Sequence, residues 1–445
     1  MIKKSKIAIL AGGFGTRLDC LNHDIPKPMF LINGMPLLLH QVLECKRYGF
    51  LDITMFLYHR HDLIRDFFKD GSEYGVNINY IIEDRPRGTA GAILDGLSSL
   101  DDNFIVLCGD TYFNINLSKF FDYHQKKNSN LTLFTHPNSH PNDSDIIICD
   151  DKDIIHSIET YPHHHKNLPN LVSSGLYIFN RDILYSYASD EKKIDLSKHL
   201  IPYLINETKK VYSFKSVEYI KDMGTPDRLE MVKRDILNDK PNLLSDKNKR
   251  KAIFLDRDGT IIKENGYITD SSQVELFKFS SESIKKINDS GYICIIITNQ
   301  PVIARGDITD KELKQIHNYI ESKLGEDGAY VDDIFYCPHH PDSGYDGEIP
   351  HLKIKCECRK PGIKLIEDSI VKYNISREGS WFIGDQTSDI LAGVRSKLST
   401  ILLKTGHAGS DQKYTVEPTH TVDNLQSAID VIINKSFPLK SGDID

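Results

Sequence analysis

Ala252-Ile253-Phe254-Leu255-Asp256-Arg257-Asp258-Gly259-Thr260 is a run of four apolar residues that ends on two carboxylates one residue apart, followed at once by a glycine. A short unbroken apolar run bounded by a turn reads as a strand buried on both faces, the kind found in parallel sheets. Working outward, the same grammar recurs. Ile293 to Thr298 passes into Asn299-Gln300, and Ser380 to Ile383 passes into Gly384-Asp385. Helical periodicity fills the intervals at Ser281 to Asn288, Asp310 to Leu324 and Ser388 to Ser396. The alternation predicts an α/β domain whose polar groups gather at the strand ends.

The amino half follows the same rhythm. Strand-like Ile7 to Leu10, Ile53 to Leu57, Ile78 to Ile82 and Phe104 to Leu107 alternate with helical Pro36 to Tyr48 and Thr89 to Leu97. Between the two rhythms lies Asn238 to Lys251, a polar stretch with five lysines and arginines and little to bury. The division read from this pattern is a first α/β domain over residues 1–237, a linker over 238–251, a second α/β domain over 252–435, and a frayed tail over 436–445. A length of 445 residues suits two or three domains.

Lysine and arginine number 55 against 63 aspartates and glutamates, a net charge of −8, which argues against a nucleic-acid-coating role. A 40% hydrophobic, 27% charged composition is that of a folded globular chain. Apolar runs such as Ile293 to Ile297 are far shorter than the roughly 20 residues of a membrane span. The opening Met-Ile-Lys-Lys-Ser-Lys lacks a signal-peptide pattern, so the cytoplasm is the expected compartment.

In the amino half, Gly12, Gly13 and Gly15 open a loop after the first strand where backbone N–H groups can approach a phosphate, with Thr16 and Arg17 beside them. Lys27, between Pro26 and Pro28, projects from a stiffened loop. Gly88 sits in a second glycine-bearing loop, and Asp110 and Asp222 are carboxylates suited to a metal. Taken one at a time, each of these residues also reads as an ordinary turn residue or a solvated side chain. In order, Gly12 to Leu18, Pro26-Lys27-Pro28, Arg87 to Ala92, Gly109-Asp110, Ser173 to Tyr177 and Asp222 to Pro226 resemble the sugar-phosphate nucleotidyltransferases over about Ile7 to Val232. That resemblance implies a Rossmann-like fold, Mg²⁺ on Asp110 and Asp222, phosphate roles for Arg17 and Lys27, and a base-proximal Gly88. It also implies attack of a sugar 1-phosphate on the α-phosphorus of a nucleoside triphosphate. Gly109 to Phe113, Glu83 to Pro86 and Asp195 to Ser197 are most similar to the heptose 1-phosphate guanylyltransferases. Many relatives carry a lysine where this chain has Tyr161, and the run His163-His164-His165-Lys166 follows.

In the carboxyl half, Asp256 suits a nucleophile and Asp258 an acid and base. Thr298 and Asn299 suit a phosphate, Lys360 adds charge, and Asp385 and Asp389 form an acidic pair. These four motifs resemble the haloacid dehalogenase (HAD) superfamily over about Lys251 to Ile433. The resemblance implies an aspartyl-phosphate on Asp256, phosphate binding by Thr298 and Lys360, and Mg²⁺ held among Asp256, Asp258, Asp385 and Asp389. Cys337, His339, Cys356 and Cys358 have the ligand types of a closed structural Zn²⁺ site, with His340 as second-sphere or exposed. Sixteen residues separate His339 from Cys356, and this loop is similar to that of the heptose 1,7-bisphosphate 7-phosphatases. That likeness implies that Arg305 and Arg359 hold a second substrate phosphate.

The two halves together predict a bifunctional enzyme that removes the 7-phosphate and then activates the heptose 1-phosphate, with GMP transfer preferred. Its partners are a nucleoside triphosphate and a sugar phosphate, with room for a homo-oligomer. The same chemistry on another sugar, or a sugar-nucleotide-binding regulatory module in the amino half, stays open at this level.

Overall fold

The computed structural model describes residues 5–13, 25–165, 167–187 and 192–436. Gly15, Thr16, Arg17, Lys166 and the tail beyond residue 436 lie outside the described residues. Two compact units form. One comprises residues 1–136, 143–164 and 171–245, and the other residues 246–445 with 137–142 and 165–170.

In the first unit, β1 (Ile7–Leu10), α1 (Leu37–Arg47), β2 (Asp52–Leu57), α2 (His61–Phe68), β3 (Asn77–Ile82), α3 (Gly88–Asp95) and β4 (Asn103–Cys108) follow one another. They build four parallel strands in spatial order β3-β2-β1-β4. Both faces are covered, because alternate residues enter separate cores: Ile7, Ile9, Ile105 and Leu107 on one side, Ala8, Phe56, Phe104 and Val106 on the other. After β5 (Thr111–Asn114), α4 (Leu117–Lys127), β6 (Leu131–His136), β7 (Ile146–Cys149) and β8 (Ile155–Glu159), the sheet is continued by β9 (Val172–Asn180), antiparallel to β4. Two further strands, β10 (Val211–Lys215) and β11 (Tyr219–Asp222), precede α5 (Pro226–Leu237). The pairing of β11 with β5 is antiparallel and separate from the main sheet.

The second unit is wholly parallel in its sheet. Its elements are β12 (Ala252–Leu255), α6 (Ser280–Asp289), β13 (Ile293–Asn299), α7 (Asp310–Glu326), β14 (Asp333–Cys337), α8 (Lys364–Tyr373), β15 (Trp381–Gly384), α9 (Thr387–Arg395), β16 (Ser399–Leu403), β17 (His420–Val422) and α10 (Leu425–Ser436). The spatial order is β14-β13-β12-β15-β16-β17. Counted along the chain this is 3-2-1-4-5-6, the doubly wound arrangement, whose ligand crevice opens where the order reverses. That point lies between β12 and β15, and in the first unit between β1 and β4.

The α/β class predicted from the alternation is therefore the observed one. The stretch 238–251 departs from its polar reading. Lys240–Leu243 forms a helical turn, and Lys240 and Arg250 are buried. Both heads find partners, Lys240 at 3.6 Å from Asp235 and Arg250 donating to the Tyr373 carbonyl at 2.8 Å, while their aliphatic stems pack. Among the described residues no helix is long and apolar enough to cross a membrane.

Candidate functional sites

At the β1/β4 crevice a cavity of about 380 Å³ is lined by Gly12, Gly13, Lys27, Glu83, Gly88, Thr89, Cys108, Asp110 and Gly224. Lys27 stands in a one-turn helix between prolines, is buried, and sits 2.5 Å from Asp110 Oδ2. Asp110 and Asp222 are brought together by the β5–β11 pairing, where Asp222 faces Thr111 and the Met223 N–H donates to the Asp110 carbonyl at 2.8 Å. Asp222 accepts two bonds from Arg228 at 2.8 and 3.0 Å, and Arg228 also reaches Asp143 at 2.7 Å. Arg228 was not singled out in the sequence. Its position six residues after Asp222, one turn into a helix, is the signal that could have found it.

Gly88 has φ +83°, and a Cβ there would come within 2.6 Å of the Ile194 carbonyl oxygen, so only glycine closes this loop without strain. Ile194 to Leu196 zip onto it. The Ile194 N–H donates to Arg87 O at 2.7 Å, and the Leu196 N–H donates to Thr89 Oγ1 at 2.9 Å. Glu83 supports the same loop by accepting from the Arg87 N–H at 3.1 Å, and burial raises its pKa. Tyr161 is 55% exposed and His163 contacts the Ser144 carbonyl oxygen at 2.7 Å. Neither residue lines the cavity.

At the β12/β15 crevice, a cavity of about 340 Å³ is lined by Asp256, Asp258, Thr298, Asn299, Arg359, Lys360 and Asp389, among others. Asp256, Asp385 and Asp389 are all buried and offer oxygens within 4.8 Å of one another. Lys360 Nζ lies 2.7 Å from both Asp256 Oδ1 and Asp389 Oδ1. Burial, with Asp389 and Asp258 nearby, outweighs Lys360 and pushes Asp256 up to about 7. Burial and the Asp256 and Asp389 charges push Asp385 up to about 9. Burial opposes the charge on Lys360, yet the two carboxylates hold its pKa above the ordinary lysine value. Asp385 Oδ1 is buried without a hydrogen-bond partner. An oxygen-lined, carboxylate-rich site with an orphaned acceptor fits a hard divalent cation such as Mg²⁺.

Two sequence expectations look different here. The Asp258 carboxylate is not part of the converging trio. It is held instead by Arg257, at 3.0 and 2.9 Å, and by Gln300 at 3.0 Å. Arg305 does not line the cavity, its guanidinium lying between the rings of Tyr267 and Tyr345 at 4.1 and 4.4 Å. Arg359 does line it, with Nη1 donating to the His339 carbonyl at 3.2 Å. Thr298 faces the cavity and accepts from Gln300 at 2.8 Å. Asn299 braces Lys360 through both backbone groups, accepting from its N–H at 2.9 Å and donating to its carbonyl at 3.2 Å. His407 and Lys413 also line the wall, and the sequence reading had passed over both.

Cys337, His339, Cys356 and Cys358 converge, with Sγ–Sγ distances of 3.1, 3.3 and 3.5 Å and His339 Nδ1 at 3.2 Å from Cys358 Sγ. No disulfide joins these thiols. Three thiolates and one imidazole at roughly tetrahedral edge lengths, about 3.8 Å for Zn–S near 2.3 Å, fit Zn²⁺. His340 is buried and turned aside, with Nδ1 at 3.3 Å from the Asp342 carbonyl oxygen.

A family model described as nucleotidyl transferase matches residues 6–239, just over half the chain, and one described as HAD-hydrolase-like matches residues 357–428. The D-glycero-alpha-D-manno-heptose-1,7-bisphosphate 7-phosphatase of Photorhabdus laumondii is 44% identical over 168 residues, covering 37% of this chain and 88% of that protein. The chain belongs to two families, nucleotidyl transferases and HAD-like phosphatases. The D-glycero-D-manno-heptose-1,7-bisphosphate 7-phosphatase of Chlorobaculum tepidum is 33% identical over 190 residues, covering 40% of this chain and 92% of that protein. The crystal structure of HddC from Yersinia pseudotuberculosis aligns at 27% identity with a TM-score of 0.46, covering 52% of this chain and all of that one.

Proposed function

We propose that this chain is a bifunctional cytoplasmic enzyme of nucleotide-heptose synthesis. Its carboxyl half removes the 7-phosphate of D-glycero-D-manno-heptose 1,7-bisphosphate, and its amino half transfers GMP from GTP to the resulting heptose 1-phosphate. The observation that carries the reading is the buried Asp256–Lys360–Asp389 arrangement beside Asp385 at the strand-order reversal. It is supported by 44% identity to a phosphatase named for that substrate.

In the phosphatase half, the Asp256 carboxylate attacks the 7-phosphorus, the P–O7 bond breaks, and O7 keeps the electron pair and takes a proton from Asp258. Water then gives a proton to Asp258 and attacks the same phosphorus, the bond to Asp256 breaks, and inorganic phosphate leaves. Lys360 favours the carboxylate form of Asp256 against the burial that opposes it and offsets phosphate charge, while Thr298 and Arg359 orient the ester. Mg²⁺ held by Asp256, Asp385 and Asp389 would neutralise the phosphoryl oxygens. Zn²⁺ on the cysteine–histidine cluster would cross-link the loop that carries Arg359.

In the amino half, no protein nucleophile is needed. A heptose 1-phosphate oxygen attacks the α-phosphorus of GTP and pyrophosphate leaves, with Gly12, Gly13, Lys27 and Arg17 meeting phosphate charge. Asp110 and Asp222 are the residues that would hold Mg²⁺ there. The preference for guanine rests on the likeness of Glu83 to Pro86 and Gly109 to Phe113 to guanylyltransferases.

The test is ³¹P NMR of the protein with each anomer of heptose 1,7-bisphosphate, Mg²⁺ and each nucleoside triphosphate in turn. Loss of the 7-phosphate with a new diphosphate signal only with GTP is expected. Phosphate release with no diphosphate product under any triphosphate would remove the transferase half of the proposal, and no phosphate release would remove the heptose substrate.

A further inference from the structure

Arg257 is among the largest fully buried side chains of the protein, with a relative exposure of 1%. It lies between Asp256 and Asp258, and neither proposed phosphoryl-transfer step uses it. A guanidinium this deep is costly unless its N–H groups are met. Here they are. Nε donates to Asp258 Oδ2 at 3.0 Å, Nη2 donates to Asp258 Oδ1 at 2.9 Å and to Gln300 Oε1 at 2.9 Å, and Nη1 meets His317 Nε2 at 3.3 Å. Burial, with the Arg257 charge beside it, keeps His317 well below the ordinary histidine range, and because a guanidinium only donates, the neutral ring's Nε2 is the acceptor. Gln300 closes the ring by donating to Asp258 Oδ2 at 3.0 Å and to Thr298 Oγ1 at 2.8 Å.

A carboxylate offers about four lone-pair sites, two on each oxygen. Oδ2 of Asp258 has both taken, by Arg257 and Gln300. Oδ1 has one taken, by Arg257. One site is left, and Asp258 lines the cavity.

We infer that Arg257 is the positioning residue of the phosphatase site, a two-pronged clamp that leaves Asp258 Oδ1 as the atom that exchanges a proton with the leaving oxygen and with water. The inference rests on the acid and base role proposed for Asp258. The clamp works by geometry. Two parallel N–H···O bonds fix the plane of the carboxylate, where a single bond would leave it free to turn. Gln300 and His317 fix the guanidinium in turn, so the orientation is set from the end of β13 and from α7 rather than by the loop that carries Asp258.

The test is a double-mutant cycle on the full-length protein, measuring kcat and KM for phosphate release from heptose 1,7-bisphosphate and from p-nitrophenyl phosphate. Asp258→Asn is expected to lower kcat about 10²- to 10⁴-fold, the usual worth of a general acid and base. Arg257→Met should lower kcat at least ~30-fold with KM within ~3-fold, and Arg257→Lys, which keeps the charge but one prong, should fall between it and the parent. In the Asp258→Asn background, Arg257→Met should cost no more than about a further 2-fold, because the clamp has nothing left to aim. Losses that multiply, or a rise in KM at unchanged kcat, would overturn the clamp and make Arg257 a substrate or purely structural cation. Full turnover by Asp258→Asn would instead overturn the role of Asp258, a separate outcome. Should Arg257→Met fail to fold, judged by Trp381 fluorescence, the cycle is run with Arg257→Lys under the same criterion of non-additivity.

Discussion

Replacing Lys360 by methionine removes the cation from a cluster of three buried carboxylates while keeping most of the side-chain volume. Its side chain is 2% exposed and its ammonium lies 2.7 Å from both Asp256 and Asp389, with an Asp385 oxygen within 4.8 Å of theirs. Breaking a buried ion pair by removing one partner costs about 3–5 kcal/mol, since the remaining charge is stranded in low dielectric. Two carboxylates lose their partner together, but Asp256, already pushed up to about 7, can take up a proton, so the middle of that range is expected in metal-free buffer at pH 7.5. Trp381 provides the assay. It is the chain's single tryptophan, lies at the start of β15, the strand that runs into Asp385, and is buried, so its fluorescence reports the carboxyl unit alone. With a urea m-value near 2 kcal/mol/M, a loss of about 4 kcal/mol moves the midpoint down by ~2 M. Adding Mg²⁺ should restore more stability to Lys360→Met than to the parent, because the cation then meets charges that Lys360 otherwise meets. A midpoint within ~0.3 M of the parent without Mg²⁺ would refute the electrostatic account of the cluster.

Three further outcomes are expected. The purified protein should carry one zinc per chain by metal analysis, and Cys358→Ser should lose it and lower Trp381-monitored stability by about 3–4 kcal/mol, the linkage expected for a metal held by the folded chain and not the unfolded one at roughly 10²–10³ times its dissociation constant. His124 is 1% exposed, contacts Thr132 and Asn103, and has its pKa pushed by burial down to about 4 from 6.5. The unfolded chain therefore binds the extra proton first, so stability of the amino unit is full above pH 6.5 and falls by ~3 kcal/mol as pH drops from 6.5 to 4. His124→Gln should flatten that slope in scanning calorimetry. Gly88→Ala, forced into φ +83° against the Ile194 carbonyl, should destabilise the amino unit by about 1–3 kcal/mol and weaken nucleotide binding, measured by titration calorimetry, with the Trp381 transition unmoved.

Short apolar runs with polar ends were enough to read the strands. Ile7–Leu10 and Ile293–Asn299 begin and end within a residue of where the sequence puts them, because a strand buried on both faces has a local signature. The cysteine–histidine spacing likewise reads locally, and all four ligands do converge. The stretch 238–251 misled because its lysines and arginine look solvated by composition, while burial of Lys240 and Arg250 depends on partners found only in the folded chain, such as Asp235 and the Tyr373 carbonyl.

By itself, the sequence determined the α/β class, the two families and the residue types at each strand end, since these follow from periodicity and from motifs written contiguously. Only the tertiary structure decided which strand ends meet. The 3-2-1-4 order that sets Asp256 beside Asp385, and the β5–β11 pairing that sets Asp110 beside Asp222, are choices made by crossover connections. It also decided that Asp258 answers to Arg257 and Gln300, and that Arg305 lies between two tyrosine rings, of which Tyr267 and not Arg305 lines the cavity. Partners that lie far apart along the chain, as Gln300 does from Asp258, are set by distances across the fold that no local spacing encodes.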